Sequence, residues 1–266
     1  MARKPADVHS PMLSDSFRPI PDERPTVFAD RAGRAYALGT SATHKKRYGQ
    51  FLTPVAVAEF MASLVDCDAE EVRILDPGAG TGVLACAVAE GLSRRTPPPR
   101  RIVIDAYECD PRLLPILKQV LGHLETQLRR RGLAVKHRAL SEDFILEHAP
   151  QLRRSESLFG NGQERAEYDV VIGNPPYFKL PKSDPRARAA DHVVHGQPNI
   201  YALFMAVSAS LLAPGGELVF ITPRSFTSGP YFRRFRERFF GRIQLEAVHV
   251  FDSRRDAFRR DGVLQE

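Results

Sequence analysis

A stretch near the middle of the chain carries residue types that can activate an aromatic amine. Residues 168–172 have strand character, and Asn174 follows them just before Pro175 and Pro176 stop the strand. The two prolines make the backbone stiff. The Asn174 side-chain oxygen and the Pro175 carbonyl are then two acceptors for the hydrogens of an amine that attacks a methyl donor. Tyr177 offers a face for stacking a base. The alternative is a Pro-stiffened surface turn.

A glycine-rich turn upstream provides a place where a ligand can approach the backbone. Residues 72–76 form a short strand that ends at Asp76, and a helix-forming run follows the turn. The turn contains Gly78, Gly80 and Gly82. The spacing of these glycines differs from the Gly-x-Gly-x-x-Gly pattern of dinucleotide folds. The turn also lacks the lysine of a phosphate-binding loop.

Acidic residues follow the next two strands. Glu108 comes directly after residues 101–107, where a carboxylate can accept both ribose hydroxyls of an adenosyl group. Asp110 is interpreted as the cap of the following helix. Asp143 and Phe144 come after the third strand, and on their own they form an ordinary turn.

The order of these elements predicts an α/β fold, a doubly wound and mostly parallel sheet with helices on both faces. Thr53 is expected to be the N-cap of a helix that starts at Pro54. The other predicted elements are strands at 133–138, 217–222 and 245–251, helices from 111, at 199–213 and at 231–240, and loops at 149–166 and 179–198. In the helix at 231–240, phenylalanines alternate with arginines, which favours an amphipathic helix over a dedicated DNA contact.

Composition sets the wider limits. The chain has 266 residues, and Lys plus Arg exceed Asp plus Glu by 38 to 32, which is compatible with a polyanionic partner. The three cysteines match neither a disulfide framework nor a metal site, so no metal is expected. No apolar run approaches the length of a membrane span, and residues 1–5 do not begin an apolar stretch typical of a signal peptide, so we expect a cytoplasmic protein. Residues 1–45, rich in proline, are expected to be a partly disordered arm that could hold a short helix at residues 31–38, ahead of a catalytic domain at 46–266.

The motifs occur in the order seen in one enzyme family. Residues 49–54 read Gly-Gln-Phe-Leu-Thr-Pro, residues 76–82 read Asp-Pro-Gly-Ala-Gly-Thr-Gly, and residues 174–177 read Asn-Pro-Pro-Tyr. With Glu108 and the acidic turn at 141–144, this order resembles the gamma-class N6-adenine DNA methyltransferases of restriction-modification systems. The resemblance covers about residues 45–266.

The resemblance implies a set of roles. The chain would bind S-adenosylmethionine and double-stranded DNA and would methylate a flipped adenine. Its catalytic residues would be Asn174, Pro175, Pro176 and Tyr177. Its cofactor-binding residues would be Phe51, Thr53, Asp76, Gly78, Gly80, Gly82, Glu108, Asp143 and Phe144. Phe251 would stack on the adenine opposite Tyr177.

Some alternatives stay open at this point. No target-recognition domain is seen after residue 261, so recognition is expected from a separate polypeptide, or the chain is a fragment. The Asn-Pro-Pro-Tyr loop also occurs in release-factor glutamine methyltransferases and RNA base methyltransferases. A third alternative is an inactive cofactor-binding remnant.

Overall fold

Five parallel strands form the centre of the computed structural model, which describes residues 15–154, 168–191, 193 and 198–251. The strands are β1 Glu71–Asp76, β2 Arg101–Tyr107, β3 Ala134–Leu140, β4 Tyr168–Gly173 and β5 Leu212–Phe220. Their order in the sheet is β3-β2-β1-β4-β5, and each neighbouring pair is parallel. The predicted doubly wound sheet is confirmed.

Helices cover both faces of this sheet. They are α1 Pro25–Leu38, α2 Ala42–Tyr48, α3 Val55–Ser63, α4 Val83–Ser93, α5 Leu114–Arg129, α6 Phe144–Arg154, α7 Pro185–Ala189, α8 Ile200–Ser210 and α9 Arg233–Phe240. Alternate strand residues serve the two faces, because successive side chains of a strand point in opposite directions. In β1, Ile74 belongs to the core formed with residues of α1, α3, α4 and α5, whereas Leu75 belongs to the core formed with residues of α6, α8 and α9.

The strand order places a crevice between β1 and β4. The chain runs outward from β1 to β2 and β3, and then returns to β4 on the other side of β1. In open α/β sheets, ligands bind at such a switch point, outside the carboxyl ends of the strands. The glycine-rich turn leaves β1 there, and the Asn174 loop leaves β4 beside it.

The expectation of a partly disordered arm over residues 1–45 is wrong for its second half. Residues 25–48 contain α1 and α2, and Phe28 and Ala32 of α1 are fully buried in the core. Residues 1–14 lie outside the described residues. Long-range packing has overcome the local effect of the prolines, and Pro25 itself stands at the first position of α1, where proline is tolerated.

Other boundaries also differ from the sequence prediction. Residues 149–154 belong to α6 rather than to a loop, and β5 begins at Leu212, with a register irregularity opposite Tyr168 and Val170. The predicted strand at 245–251 is wrong, since these residues have no regular structure and Val248 and Val250 are exposed. The amphipathic prediction for α9 is confirmed by buried Phe235 and Phe239. Among the described residues, no helix combines the length and hydrophobicity needed to span a bilayer.

Candidate active site

A cavity of about 510 Å³ lies at the carboxyl edge of the sheet, where several predicted site residues meet. Its wall includes Phe51, Gly78, Gly80, Glu108, Asp143, Phe144, Asn174 and Pro176. These residues come from separate segments that follow β1, β2, β3 and β4 or precede α3. The volume is in the range of small-molecule sites.

Glu108 connects the glycine-rich turn to the end of β2. Its Oε2 accepts a hydrogen bond of 3.0 Å from the Gly80 amide, and its Oε1 accepts one of 2.7 Å from the Asp110 amide. Burial raises the pKa of Glu108 to about 7. The carboxylate is therefore held in place by two backbone donors and faces the cavity with acceptor capacity remaining.

The glycines of the turn have different tasks. Gly80 has a φ of +57° and lines the cavity, where its amide reaches Glu108. Gly82 has a φ of +86°, and a Cβ there would stand 2.8 Å from Leu117 of α5. Gly82 therefore allows the start of α4 to pack closely against α5. It is not on the cavity wall, and the room for a ligand that the resemblance implied there stays a prediction.

Asp76 lies behind the turn and not on the cavity wall. Its side chain is fully buried, and neither carboxylate oxygen has a hydrogen bond of good geometry among the described residues. Burial raises the pKa of Asp76 to about 7, although the nearby amides of Ala85 and Gly78 oppose this rise. Its predicted contact with a cofactor stays a prediction.

Asp143 and Phe144 form the wall beyond β3. Asp143 Oδ1 accepts hydrogen bonds from the amides of Ile145 and Leu146 at 3.0 and 3.1 Å, which fixes the carboxylate at the start of α6. Its Oδ2 lies 3.7 Å from Nη1 of Arg186, a residue of α7 that the sequence did not single out. The Phe144 ring stacks on Phe204 at 5.4 Å between centroids, so this side of the cavity is aromatic.

Asn174 stands at the end of β4 with a defined amide orientation. Its Nδ2 donates hydrogen bonds of 3.0 Å to the Phe51 carbonyl and 3.0 Å to Thr53 Oγ1. Its Oδ1 consequently faces away from these acceptors, and it accepts a hydrogen bond from the Tyr177 hydroxyl. Among the described residues, no hydrogen bond ends on the Pro175 carbonyl, which leaves that second acceptor available.

Tyr177 covers the acceptor oxygen of Asn174. Its hydroxyl also lies 2.8 Å from the Ile221 carbonyl, at the end of β5. Its ring stacks on Phe51 with 6.0 Å between centroids and 21° between planes. This hydroxyl therefore occupies one of the two acceptor positions of Asn174 Oδ1.

Phe251 is not brought to this site. Its ring packs edge-on against Phe60 of α3, at 6.3 Å between centroids, and it is 41% exposed. The aromatic neighbours of Tyr177 include Phe51 and Tyr201. The predicted stacking of Phe251 opposite Tyr177 therefore does not occur in this arrangement, because residues 245–251 form no strand to carry the ring there.

Sequence reasoning missed a hydrogen-bond network that fixes the cavity mouth. The buried Asp110 carboxylate accepts hydrogen bonds from the Tyr36 hydroxyl at 2.6 Å, His44 Nε2 at 2.7 Å and Gln50 Nε2 at 2.6 Å. Although burial opposes it, the hydrogen bonds from Tyr36 and His44 hold the pKa of Asp110 below its ordinary value. The network ties α1 and α2 to the residues beside Glu108. No local sequence signal pairs positions 60 to 74 residues apart.

No group of three or more His, Cys, Asp or Glu side chains in the described part of the chain is arranged to hold a metal ion. The acceptors and aromatic faces around the cavity instead fit an organic ligand with hydroxyls and an aromatic ring.

Comparison with known proteins places the chain among methylases. Residues 114–258 match the model of the Eco57I restriction-modification methylase family. The chain belongs to this family. It is 34% identical over 240 residues to the type II methyltransferase M.PstI of Providencia stuartii, covering 90% of this chain and 46% of the relative. It is 32% identical over 229 residues to M.BsuBI of Bacillus subtilis, covering 84% and 43%.

The fold has a solved counterpart. A Listeria monocytogenes protein assigned to the class I S-adenosylmethionine-dependent methyltransferases superposes with a TM-score of 0.55 at 18% identity, covering 80% of this chain and 57% of that chain. This similarity shows the Rossmann-like fold. The present chain spans less than half the length of the two curated relatives it matches.

Proposed function

We propose that this chain is the catalytic part of a DNA methyltransferase that uses S-adenosylmethionine to methylate the N6 amine of adenine. The observation that carries the proposal is the oriented amide of Asn174, whose two N–H groups are bound on the side of residues 51–53. Its oxygen is thereby turned away from residues 51–53 and toward the Tyr177 hydroxyl, with a second lone pair left for an amine of the substrate. Membership of a restriction-modification methylase family supports DNA as the substrate.

The cavity residues fit the proposed cofactor. Glu108 would accept hydrogen bonds from the ribose hydroxyls of the cofactor. Asp143 would bind the amine of the cofactor's own adenine, and Phe144 would pack on the face of that ring. The fit is supported by the buried Glu108 carboxylate and by the close approach that Gly80 permits. When bound, S-adenosylmethionine supplies an electrophilic methyl group on a sulfonium.

The catalytic work of the chain is alignment and dipole stabilisation. Asn174 Oδ1 and the Pro175 carbonyl would accept the two amine hydrogens of a flipped adenine, and so would favour the positive charge that develops on nitrogen. Tyr177 would release Asn174 and stack on the base. We propose that a separate recognition element selects the DNA sequence.

The first experiment is a transfer assay with labelled S-adenosylmethionine on three acceptors: long mixed-sequence duplex DNA, RNA and a glutamine-bearing release factor. We expect N6-methyladenine in the DNA, identified by mass spectrometry of the nucleosides. Product on RNA or on glutamine alone would contradict the proposal. Calorimetric binding of the cofactor with no transfer to any acceptor would favour a non-enzymatic subunit.

Asn174→Ala is the matching variant. Removing one preorganised acceptor should lower the transfer rate by about 10²–10³-fold. The affinity for S-adenosylmethionine, measured by calorimetry, should stay within about two-fold, because the donor is held by Glu108 and the turn around Gly80. An equal loss of rate and of donor affinity would remove Asn174 from its catalytic role.

A further inference from the structure

We infer that Thr53 is a positioning residue for Asn174. This inference rests on the proposed function of Asn174 and assigns a residue that controls it. Thr53 is buried, with 4% of its surface exposed, and it is not on the cavity wall. Its hydroxyl oxygen accepts the hydrogen bond of 3.0 Å from Asn174 Nδ2, across 121 positions of sequence.

Thr53 is not used by its own helix. The sequence predicted it as the N-cap of α3, but the N-cap is Pro54, and this helix end has no side-chain hydrogen bond. Proline carries no amide hydrogen, and the helix therefore begins with one donor fewer to satisfy. The side chain of Thr53 is consequently available for Asn174, and its burial shields that hydrogen bond from water.

The two acceptors of the Asn174 amide do different things. The Phe51 carbonyl can only accept, so it disfavours a flipped amide that would point Oδ1 at it. Once Tyr177 has released Oδ1 to the substrate, the hydrogen bond to Phe51 alone would leave the terminal torsion of Asn174 free to swing, because that torsion has a broad energy profile. A second hydrogen bond, to Thr53, fixes the plane. The direction of Oδ1 toward the amine is then set before the substrate arrives.

This preorganisation matters because the acceptor works on charge that develops only during transfer. An acceptor that must first rotate into place loses part of its advantage, whereas a fixed one costs no reorganisation. Thr53 would therefore affect the rate of transfer and leave binding of the cofactor unchanged. A direct cofactor contact would show the opposite pattern.

The test compares Thr53→Val with Thr53→Ser. Val has nearly the shape of Thr but no hydroxyl, and Ser keeps the hydroxyl while losing a methyl group. We expect Thr53→Val to lower kcat by about ten-fold, as for the loss of one buried hydrogen bond, with the dissociation constant of S-adenosylmethionine within about two-fold. Thr53→Ser should keep kcat within about three-fold of the original. A weakened cofactor affinity at unchanged kcat, or equal rates for the Val and Ser variants, would overturn the inference.

A measurement that does not depend on activity completes the test. The side-chain amide protons of Asn174, assigned by their loss in Asn174→Ala, should both exchange slowly with solvent in the unmodified protein. In Thr53→Val, one of the two should exchange faster and shift in its NMR resonance, and Thr53→Ser should restore it. Unchanged amide signals in Thr53→Val would refute the positioning role, even if no acceptor substrate were methylated.

Discussion

At the scale of residues, the Glu108 carboxyl group is buried, although its proposed role calls for the charged form. The cofactor role requires an ionised acceptor, yet burial raises its pKa from 4.5 to about 7. Because the folded pKa is the higher one, the stabilisation from this group is fully present below pH 4.5 and is lost as the pH rises through about 7. Above that pH the fold carries a buried charge, at a cost on the order of 3 kcal/mol.

Glu108→Gln should expose this conflict between binding and stability. At pH 5 we expect the variant to be less stable than the original. Both oxygens of Glu108 accept from backbone amides, of Gly80 and Asp110, and in Gln the NH2 group that replaces one oxygen cannot accept such a hydrogen bond. Between pH 5 and pH 8 the difference in unfolding free energy should move in favour of the variant by about 2–3 kcal/mol. Urea unfolding at both pH values measures this change.

The same variant should bind S-adenosylmethionine at least about ten-fold more weakly at pH 8, because it offers one acceptor fewer to the ribose. Calorimetry at that pH checks the loss. A constant stability difference between pH 5 and pH 8 would show that Glu108 is not the titrating group. An unchanged affinity would remove it from the ribose site.

At this scale, local chemistry predicted some of the residues that line the site but not how they are held. Asn174 and Glu108 could be found because each follows a strand and carries an acceptor. The contact from Thr53 to Asn174 could not, because it joins segments that only the folded sheet brings together. In the sequence, Gly82 looks like the other glycines of the turn. Its close approach to Leu117 depends on where α5 lies, which the local sequence does not indicate.

At the scale of elements, α1 depends on a carboxylate from another helix. Glu90 of α4 is 3% exposed, and its Oε1 accepts hydrogen bonds of 2.8 Å from both the amide and the hydroxyl of Thr26. Its Oε2 accepts one of 2.9 Å from Arg24 Nε. The residue before α1, Arg24, provides no side-chain cap, so Glu90 satisfies donors at the start of that helix in its place.

Glu90→Gln should therefore loosen α1 from the core. We expect the unfolding free energy to fall by about 2–3 kcal/mol, since a charged buried acceptor of several hydrogen bonds is lost. Urea unfolding at pH 7 provides the measurement. The control is Glu59→Gln, which removes the ion pair of a 41%-exposed carboxylate with the same Arg24 and should cost less than about 1 kcal/mol. Equal effects of the two variants would contradict a special role for Glu90.

This dependence explains why the sequence predicted only the second half of α1, as a short helix at residues 31–38, and not its start. The prolines of residues 1–45 are a local signal for irregular structure, whereas Glu90 lies 64 positions beyond Thr26. The prediction of a strand at 245–251 failed for a different reason, because in the described part of the chain these β-forming residues pair with no strand. The four strands β1 to β4 and helices such as α3 and α8 were predictable, since each has its own periodic pattern and its own stops.

At the scale of the whole molecule, positive charge lies beside the cavity as well as far from it. Lys45 and Lys46 are in the last turn of α2. Gly49, which ends α2 with a φ of +61°, sits so close to the catalytic loop that a Cβ there would stand 2.7 Å from Pro176. Arg130 and Arg131 follow α5, which leads back to the opposite edge of the sheet, before β3.

The location of charge, and not only the net +6, should therefore govern binding of duplex DNA. We expect Lys45→Ala with Lys46→Ala to reduce the slope of log K against log salt concentration by about 2, as for the loss of two phosphate contacts. The matched control, Arg130→Ala with Arg131→Ala, removes the same charge and should change the slope by less than about 1. Fluorescence anisotropy with a labelled duplex at several salt concentrations measures both. Equal changes would mean that DNA responds to total charge alone and that α2 does not border the bound strand.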